Sequence, residues 1–193
     1  VFLVASMLTP IKRLAFTPYK TFTPYERFLQ ILETGKSIRK HVPNAISIMI
    51  EGSQISDTVR VEYRKNFDHV LEVGEDQEVF PYTNHPRNIG HGEMKLLERG
   101  IEYINEHIDK NLISKVIKLG ARYRLNDNFR LESFHTEKYT FRPHIDVVSK
   151  TEVFNTGLVE ELFTMIIHPE NIHKIETLGL EGQLSFNKHF FSV

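Results

Sequence analysis

Residues 23–50 read TPYERFLQILETGKSIRKHVPNAISIMI, and this stretch decides the fold. Thr23 at the N-cap, Pro24 at the first helical position and Glu26 at the third form a capping box, which predicts that a helix begins here. The nearly continuous apolar run at 45–50 is typical of a strand that is buried on both faces. A helix that leads into such a strand predicts a βαβ unit on a parallel sheet.

The same alternation continues on both sides of this stretch. We predict further strands at 1–7, 69–73 and 115–119, and further helices at 56–67 and from Gly92 to about Ile108. The polar segment 74–92 is predicted to be a long loop. Later strands are expected at 139–141 and 153–159, and short helices at 160–167 and 169–177. The predicted fold class is α/β, with a mixed, mostly parallel central sheet flanked by helices.

Composition limits the possible functions. The chain has 193 residues, an ordinary size for one domain, and a formal net charge of -1, which argues against a nucleic-acid partner. It has no cysteine, so disulfides and thiolate sites are excluded. The apolar run at 1–8 is shorter than the roughly 20 residues that a membrane-spanning helix needs. We expect no membrane span and a cytoplasmic location.

Polar side chains follow several of the predicted strands. Thr9 and Arg13 follow the first strand, Glu51 follows the second, and Arg122 and Asp127 follow the fourth. Ligands of open α/β sheets bind at the carboxyl ends of the strands, so these residues are candidates for binding phosphate, ribose and a divalent metal. The alternative is that Glu51 lies in a surface turn and that 126–128 is an ordinary turn.

Other candidates lie outside these strand ends. Gly90 and Gly92 precede a helix whose N-terminus could bind an anion, and Lys95 lies one turn further on. Glu181 lies between glycines and is a candidate general base, and His189 is a candidate metal or phosphate ligand. The alternative for Gly90 and Gly92 is a flexible loop that ends in a helix, and the alternative for Glu181 is an ordinary turn. The sequence contains no GxxxxGK[ST], GxGxxG or GxSxG motif.

A group of short segments has a family resemblance. They are Tyr25–Gln30, Leu32–Thr34, Ser37–Arg39, Pro43–Ala45, Ile50–Ser53, Lys118–Tyr123, Leu125–Asp127 and Gly179–Gly182. Together they resemble GT-A-type glycosyltransferases, in particular a small group found in large DNA viruses and in bacterial polysaccharide clusters. The usual Asp-x-Asp motif is Leu125-Asn126-Asp127 here, so its first Asp is missing.

The resemblance implies one GT-A-like domain over 1–193, with a nucleotide-binding half at about 1–128 and an acceptor-side half at about 129–193. It implies a UDP- or GDP-sugar donor, Mn²⁺ or Mg²⁺, and transfer to a hydroxyl group of a glycan or glycoprotein in the cytoplasm (the host cytoplasm if the protein is viral). The acceptor is expected near Arg142, His144, Asp146 and Asn155.

Residue roles follow from the resemblance together with the positions of the strand ends. The expected metal ligands are Asp127 and His189, and the expected catalytic residues are Glu181 and Asp146. The expected nucleotide-sugar contacts are Thr9, Arg13, Glu51, Lys95 and Arg122.

Two other functions stay open. A sugar nucleotidyltransferase would share the fold, but it usually has a glycine-rich loop after the first strand, and residues 8–13 contain no glycine. The second is a non-catalytic domain that binds a carbohydrate or a partner protein, which the incomplete Asp-x-Asp motif favours.

Overall fold

The computed structural model describes residues 1–10, 22–84, 89–133, 144–145 and 152–153. Its elements, in chain order, are β1 (Phe2–Ser6), α1 (Pro24–His41), β2 (Ser47–Glu51), α2 (Asp57–Asn66), β3 (His69–Glu72), α3 (Phe80–Thr83), α4 (Ile89–His107), β4 (Ile117–Gly120), β5 (His144–Ile145) and β6 (Glu152–Val153). Single 3₁₀ turns lie at Lys110–Leu112 and Leu131–Ser133.

Four strands form a parallel sheet in the order β3-β2-β1-β4. The chain builds outward from β1 through β2 to β3 and then returns to place β4 on the other side of β1. The strand order therefore reverses between β1 and β4, where doubly wound sheets open a crevice at their carboxyl ends. The α/β prediction is confirmed at this level. The last two strands, β5 and β6, form a separate antiparallel pair.

The helices cover both faces of the sheet. On one face, α1 and α2 pack against a core that includes Phe2, Val4 and Met49. On the other face, α4 packs against a core that includes Leu3 and Ile50. Neighbouring residues of one strand thus serve opposite cores, because side chains alternate across a strand. This explains why the strands read as nearly continuous apolar runs.

The capping box at the start of α1 is present. Thr23 Oγ1 accepts a hydrogen bond from the backbone N–H of Glu26, and Glu26 Oε2 accepts one from the backbone N–H of Thr23 at 2.7 Å. The predicted second helix is also confirmed, with Ser56 as the N-cap of α2.

The predicted loop at 74–92 is wrong in part. This segment contains the short helix α3, and α4 begins at Ile89 rather than after Gly92. A Cβ atom on Gly92 would lie 2.8 Å from the Cα of Thr83, so α3 and α4 pack too closely for a larger residue there. The glycine therefore serves the packing of the two helices. The strand expected at 139–141 and the helices expected at 160–167 and 169–177 lie outside the described residues, as does the strand expected at 153–159 except for its first residue, which belongs to β6. The strand β5 was not expected.

Among the described helices, none is both long enough and apolar enough to cross a bilayer.

Candidate functional site at the carboxyl ends of the strands

Glu51 is the last residue of β2, and its side chain is completely buried. Its Oε1 atom accepts hydrogen bonds from the backbone N–H of Leu8 at 3.0 Å and from that of Ser53 at 2.8 Å. These two amides belong to the segments that leave β1 and β2. Glu51 therefore ties the carboxyl ends of two neighbouring strands together, and the alternative of a surface turn carboxylate is wrong.

Burial also changes the acidity of Glu51. Loss of hydration raises the pKa of its carboxyl group, and the hydrogen bonds from the Leu8 and Ser53 amides oppose that shift without cancelling it. Among the described residues, neither the second oxygen, Oε2, nor the hydroxyl of Ser6 has a hydrogen-bond partner of ordinary geometry, but the Ser6 hydroxyl also lowers the pKa of Glu51. The cost of burying a charge that is only partly solvated is therefore the main cause of the raised pKa.

Thr9 lies beside the ends of β1 and β2 that Glu51 joins. Its backbone N–H donates to Ser53 Oγ at 2.9 Å, and its side chain is exposed. The register of the sheet places the end of β4 beside the ends of β1 and β2. Ser6 is level with Glu51 of β2, and Ala5 is level with Gly120 at the end of β4. The ends of β1, β2 and β4 thus form one edge, with the exposed side chain of Thr9 on it.

The turn after β4 carries the exposed side chain of Arg122. The turn is fixed by α1, since Thr34 Oγ1 lies 3.0 Å from the carbonyl oxygen of Ala121 and 2.7 Å from that of Tyr123. Ser37 Oγ then accepts a hydrogen bond from the backbone N–H of Leu125 at 3.0 Å. The structure therefore places Arg122 at the same edge of the sheet as Thr9, on a turn that α1 holds in place.

Asp127 lies elsewhere. Beyond the turn, the chain runs back along α1, so that Asp127 reaches Lys40 in the last turn of that helix, with Nζ and Oδ1 2.6 Å apart. Further on, Phe129 packs against Phe2 at the start of β1. The hydrogen bond from Lys40 also holds the pKa of Asp127 below its ordinary value. The structure does not bring Asp127 together with Glu51 and Arg122, because it lies toward the amino ends of the strands.

A cavity of about 300 Å³ adjoins this second region. It lies between the last turns of α1 and the segment 124–127, and its lining includes Lys40, His41 and Asp127 but neither Glu51 nor Arg122. Its charges are largely satisfied by one another, as in the pairs of Lys36 with Glu33 and of Lys40 with Asp127. We therefore place the candidate site at the carboxyl ends of the strands and not in this cavity.

Lys95 is buried within α4. Its ammonium group pairs with Glu98 at 2.8 Å and lies 5.2 Å from the centre of the Tyr82 ring. Burial raises the pKa of Glu98, and Lys95 opposes that shift. These two contacts of Lys95 lie within the α3–α4 layer, and its expected role in binding the nucleotide sugar stays a prediction.

The other candidates lie outside the described residues: Arg13, Asp146, Glu181 and His189. Within the described part of the chain, no group of three or more His, Asp or Glu side chains is arranged to hold a metal ion. The expected metal and catalytic roles of these residues stay predictions.

Tyr123 and Ser53 also belong to this edge, although neither was predicted to be a site residue. Tyr123 is 58% exposed although it lies in a turn that α1 holds on one side. The signal for it was an aromatic residue between Arg122 and Arg124 immediately after a buried strand. For Ser53 there was no such signal, because its bond to Thr9 joins residues that are far apart in the sequence.

Comparisons with protein-family models, with curated proteins and with solved structures found no match.

Proposed function

We propose that the protein is a nucleotide-sugar-dependent glycosyltransferase that binds its donor where the carboxyl ends of β1 and β4 meet. The observation that carries this proposal is the strand order β3-β2-β1-β4, with helices on both faces. Such a sheet opens a ligand crevice at the point where the order reverses. The GT-A resemblance of the sequence supports the finer assignment of the fold and the activity.

Arg122 is the residue we assign to the diphosphate of the donor. It is exposed, it follows β4 directly, and it makes no ion pair with any of the described residues. A guanidinium group recognises phosphate through paired hydrogen bonds and offsets the charge that develops on the departing diphosphate. Thr9, on the neighbouring strand end, is the second contact at this edge.

The metal is a separate part of the proposal. Mn²⁺ or Mg²⁺ would neutralise the charge of the diphosphate, and Asp127 and His189 are the residues that the sequence predicts would hold the ion. The pair of Asp127 with Lys40 does not support the first of these, because that carboxylate is already compensated and lies away from Arg122. The proposal therefore depends on Arg122 and the strand ends rather than on Asp127.

The ion pair between Asp127 and Lys40 favours a second candidate function. A domain that binds a nucleotide or a carbohydrate without catalysing transfer would not require Asp127 at the carboxyl ends of the strands. This candidate predicts that a nucleotide sugar binds and stays intact in the presence of Mn²⁺.

Thermal unfolding with UDP, GDP and their sugars tests the proposal. A ligand at about 100-fold above its Kd should raise the unfolding midpoint by about 5 °C or more. Arg122→Ala should weaken binding, whereas Arg64→Ala, which changes an exposed arginine on α2, should not. Release of free sugar from the donor supports transferase chemistry. The absence of any nucleotide effect on the intact chain would refute the proposal.

A further inference from the structure

We infer that Tyr123 is the platform on which the base of the bound nucleotide stacks, an inference that rests on the proposed function. Tyr123 is 58% exposed, although its backbone lies in a turn that buried groups of α1 hold in place. The backbone N–H of Tyr123 donates to the carbonyl oxygen of Gly120 at 2.9 Å, and Thr34 Oγ1 donates to its carbonyl oxygen at 2.7 Å. The ring is therefore exposed but its backbone is anchored at both ends.

The position of the ring is set by Gly120. A Cβ atom on Gly120 would lie 3.0 Å from the ring of Tyr123, so the ring rests against the last residue of β4. Gly120 shares a strand face with Lys118, which pairs with Glu93 of α4. The ring thus lies on the α4 side of the end of β4, whereas the carbonyl oxygen of Tyr123 accepts a hydrogen bond from Thr34 of α1.

This position lies between the two helical layers. The helices α1 and α4 cover opposite faces of the sheet. The backbone of Tyr123 contacts α1 and its ring lies on the α4 side, so this residue spans the end of β4. On the sheet, β4 lies next to β1, and Ala5 is level with Gly120. The ring therefore lies at the end of the strand that adjoins the point where the strand order reverses.

Charge indicates what the ring would recognise. Arg122, which directly precedes Tyr123, is exposed and makes no ion pair with any of the described residues. Arg124, on the other side of Tyr123, lines the cavity beside α1 and lowers the pKa of Glu33 and Asp127 there. An aromatic face next to the unpaired guanidinium group of Arg122 suits a ligand that carries both a flat ring and phosphate. A nucleoside diphosphate has both, whereas a neutral sugar has no phosphate. Stacking accepts any base, because every base has a π face.

The experiment uses the absence of tryptophan from the chain. Tyr123→Trp introduces a single tryptophan at the proposed platform, and its emission should be quenched in a saturable way by UDP or GDP but not by pyrophosphate. Leu112→Trp is the matched control, since Leu112 is 75% exposed and precedes β4 at its other end. That variant should show no quenching.

Affinity provides the second measurement. Tyr123→Ala should weaken binding of UDP or GDP by about tenfold, and Tyr123→Phe should retain most of it, since base stacking requires the ring and not the hydroxyl group. Binding of pyrophosphate should be the same in all three proteins.

The outcomes separate this inference from the proposed function. If the wild-type chain binds nucleotides and Tyr123→Ala binds them equally well, the stacking role is refuted and the proposed function stands. If a free sugar rather than the nucleotide quenches the tryptophan, the base is not the stacking partner and the inference is refuted. If the wild-type chain binds no nucleotide, both fail.

Discussion

Oε1 of Glu51 accepts a hydrogen bond from the backbone N–H of Leu8 at 3.0 Å, across 43 residues of sequence. This bond joins the segment after β1 to the last residue of β2 inside the core, and Oε1 accepts a second hydrogen bond from the backbone N–H of Ser53. A carboxyl group at this point therefore shapes the edge of the sheet at which we place the ligand.

Removal of the Glu51 carboxyl group should destabilise the fold. Glu51→Ala leaves two buried amides without an acceptor, so we expect the free energy of unfolding to fall by about 2–4 kcal/mol in urea denaturation. Glu51→Gln keeps an oxygen acceptor of the same shape and should cost clearly less. Equal stability of the two variants would show that these hydrogen bonds do not matter to the fold.

Stability should also depend on pH through Glu51. The pKa of this carboxyl is raised in the folded protein above 4.5, its ordinary value, so the folded state binds more protons than the unfolded chain in the interval between the two values. The free energy of unfolding attributable to Glu51 should therefore fall as pH rises from 4.5 through the folded pKa, and then level off.

The measurement compares the wild-type chain with Glu51→Gln. Urea denaturation of both at a series of pH values between about 4 and 8 isolates the contribution of Glu51, because other titrating groups are common to both. The stability of the wild type relative to Glu51→Gln should decline with pH. A difference that is constant, or that grows with pH, contradicts a raised pKa.

Thr34 should control the turn that carries Arg122 and Tyr123. Its side chain is fully buried, and Thr34→Val removes the hydroxyl that bonds the Tyr123 carbonyl, so we expect a loss of about 1–2 kcal/mol in urea denaturation. Nucleotide binding should weaken as the turn loosens. Thr34→Ser keeps the hydroxyl and should retain the binding. Full nucleotide affinity in Thr34→Val would show that the turn does not need this anchor.

Substitution of Asp127 distinguishes the metal-binding role predicted from the sequence from the ion pair with Lys40 seen in the structure. As a metal ligand it would be essential for Mn²⁺-dependent donor binding, and Asp127→Ala would abolish that binding. Its exposed pair with Lys40 predicts instead that donor affinity with Mn²⁺ stays within about twofold of the wild type, since exposed ion pairs contribute little. Calorimetric titration of the donor into the wild type and into Asp127→Ala, with and without Mn²⁺, distinguishes the two expectations. If Mn²⁺ no longer strengthens donor binding in Asp127→Ala, Asp127 is a metal ligand after all.

Much of the fold could be predicted because its signals are local. The capping box at Thr23 and Glu26 fixes the start of α1 through bonds within one turn, and the apolar run of β2 is read directly from neighbouring residues. The loop at 74–92 was predicted less well, because α3 has a single turn and its packing against Gly92 is a tertiary contact.

The candidate site could be predicted only in part. Following each strand to its end identified Thr9 and Arg122 correctly as residues of the carboxyl edge, since parallel strands end together. The same procedure grouped Asp127 with them, although the chain turns after β4 and runs back along α1 to Lys40. Distance along the chain from a strand end did not indicate the direction in which the chain continued.

The sequence by itself determined the α/β class, the start of α1 and the buried strands, because capping and side-chain periodicity act between residues that are close in the chain. Only the tertiary structure decided the strand order, the inward position of Glu51 and the separation of Asp127 from Arg122. These depend on contacts between distant segments, whose geometry is set by how the two helical layers pack on the sheet.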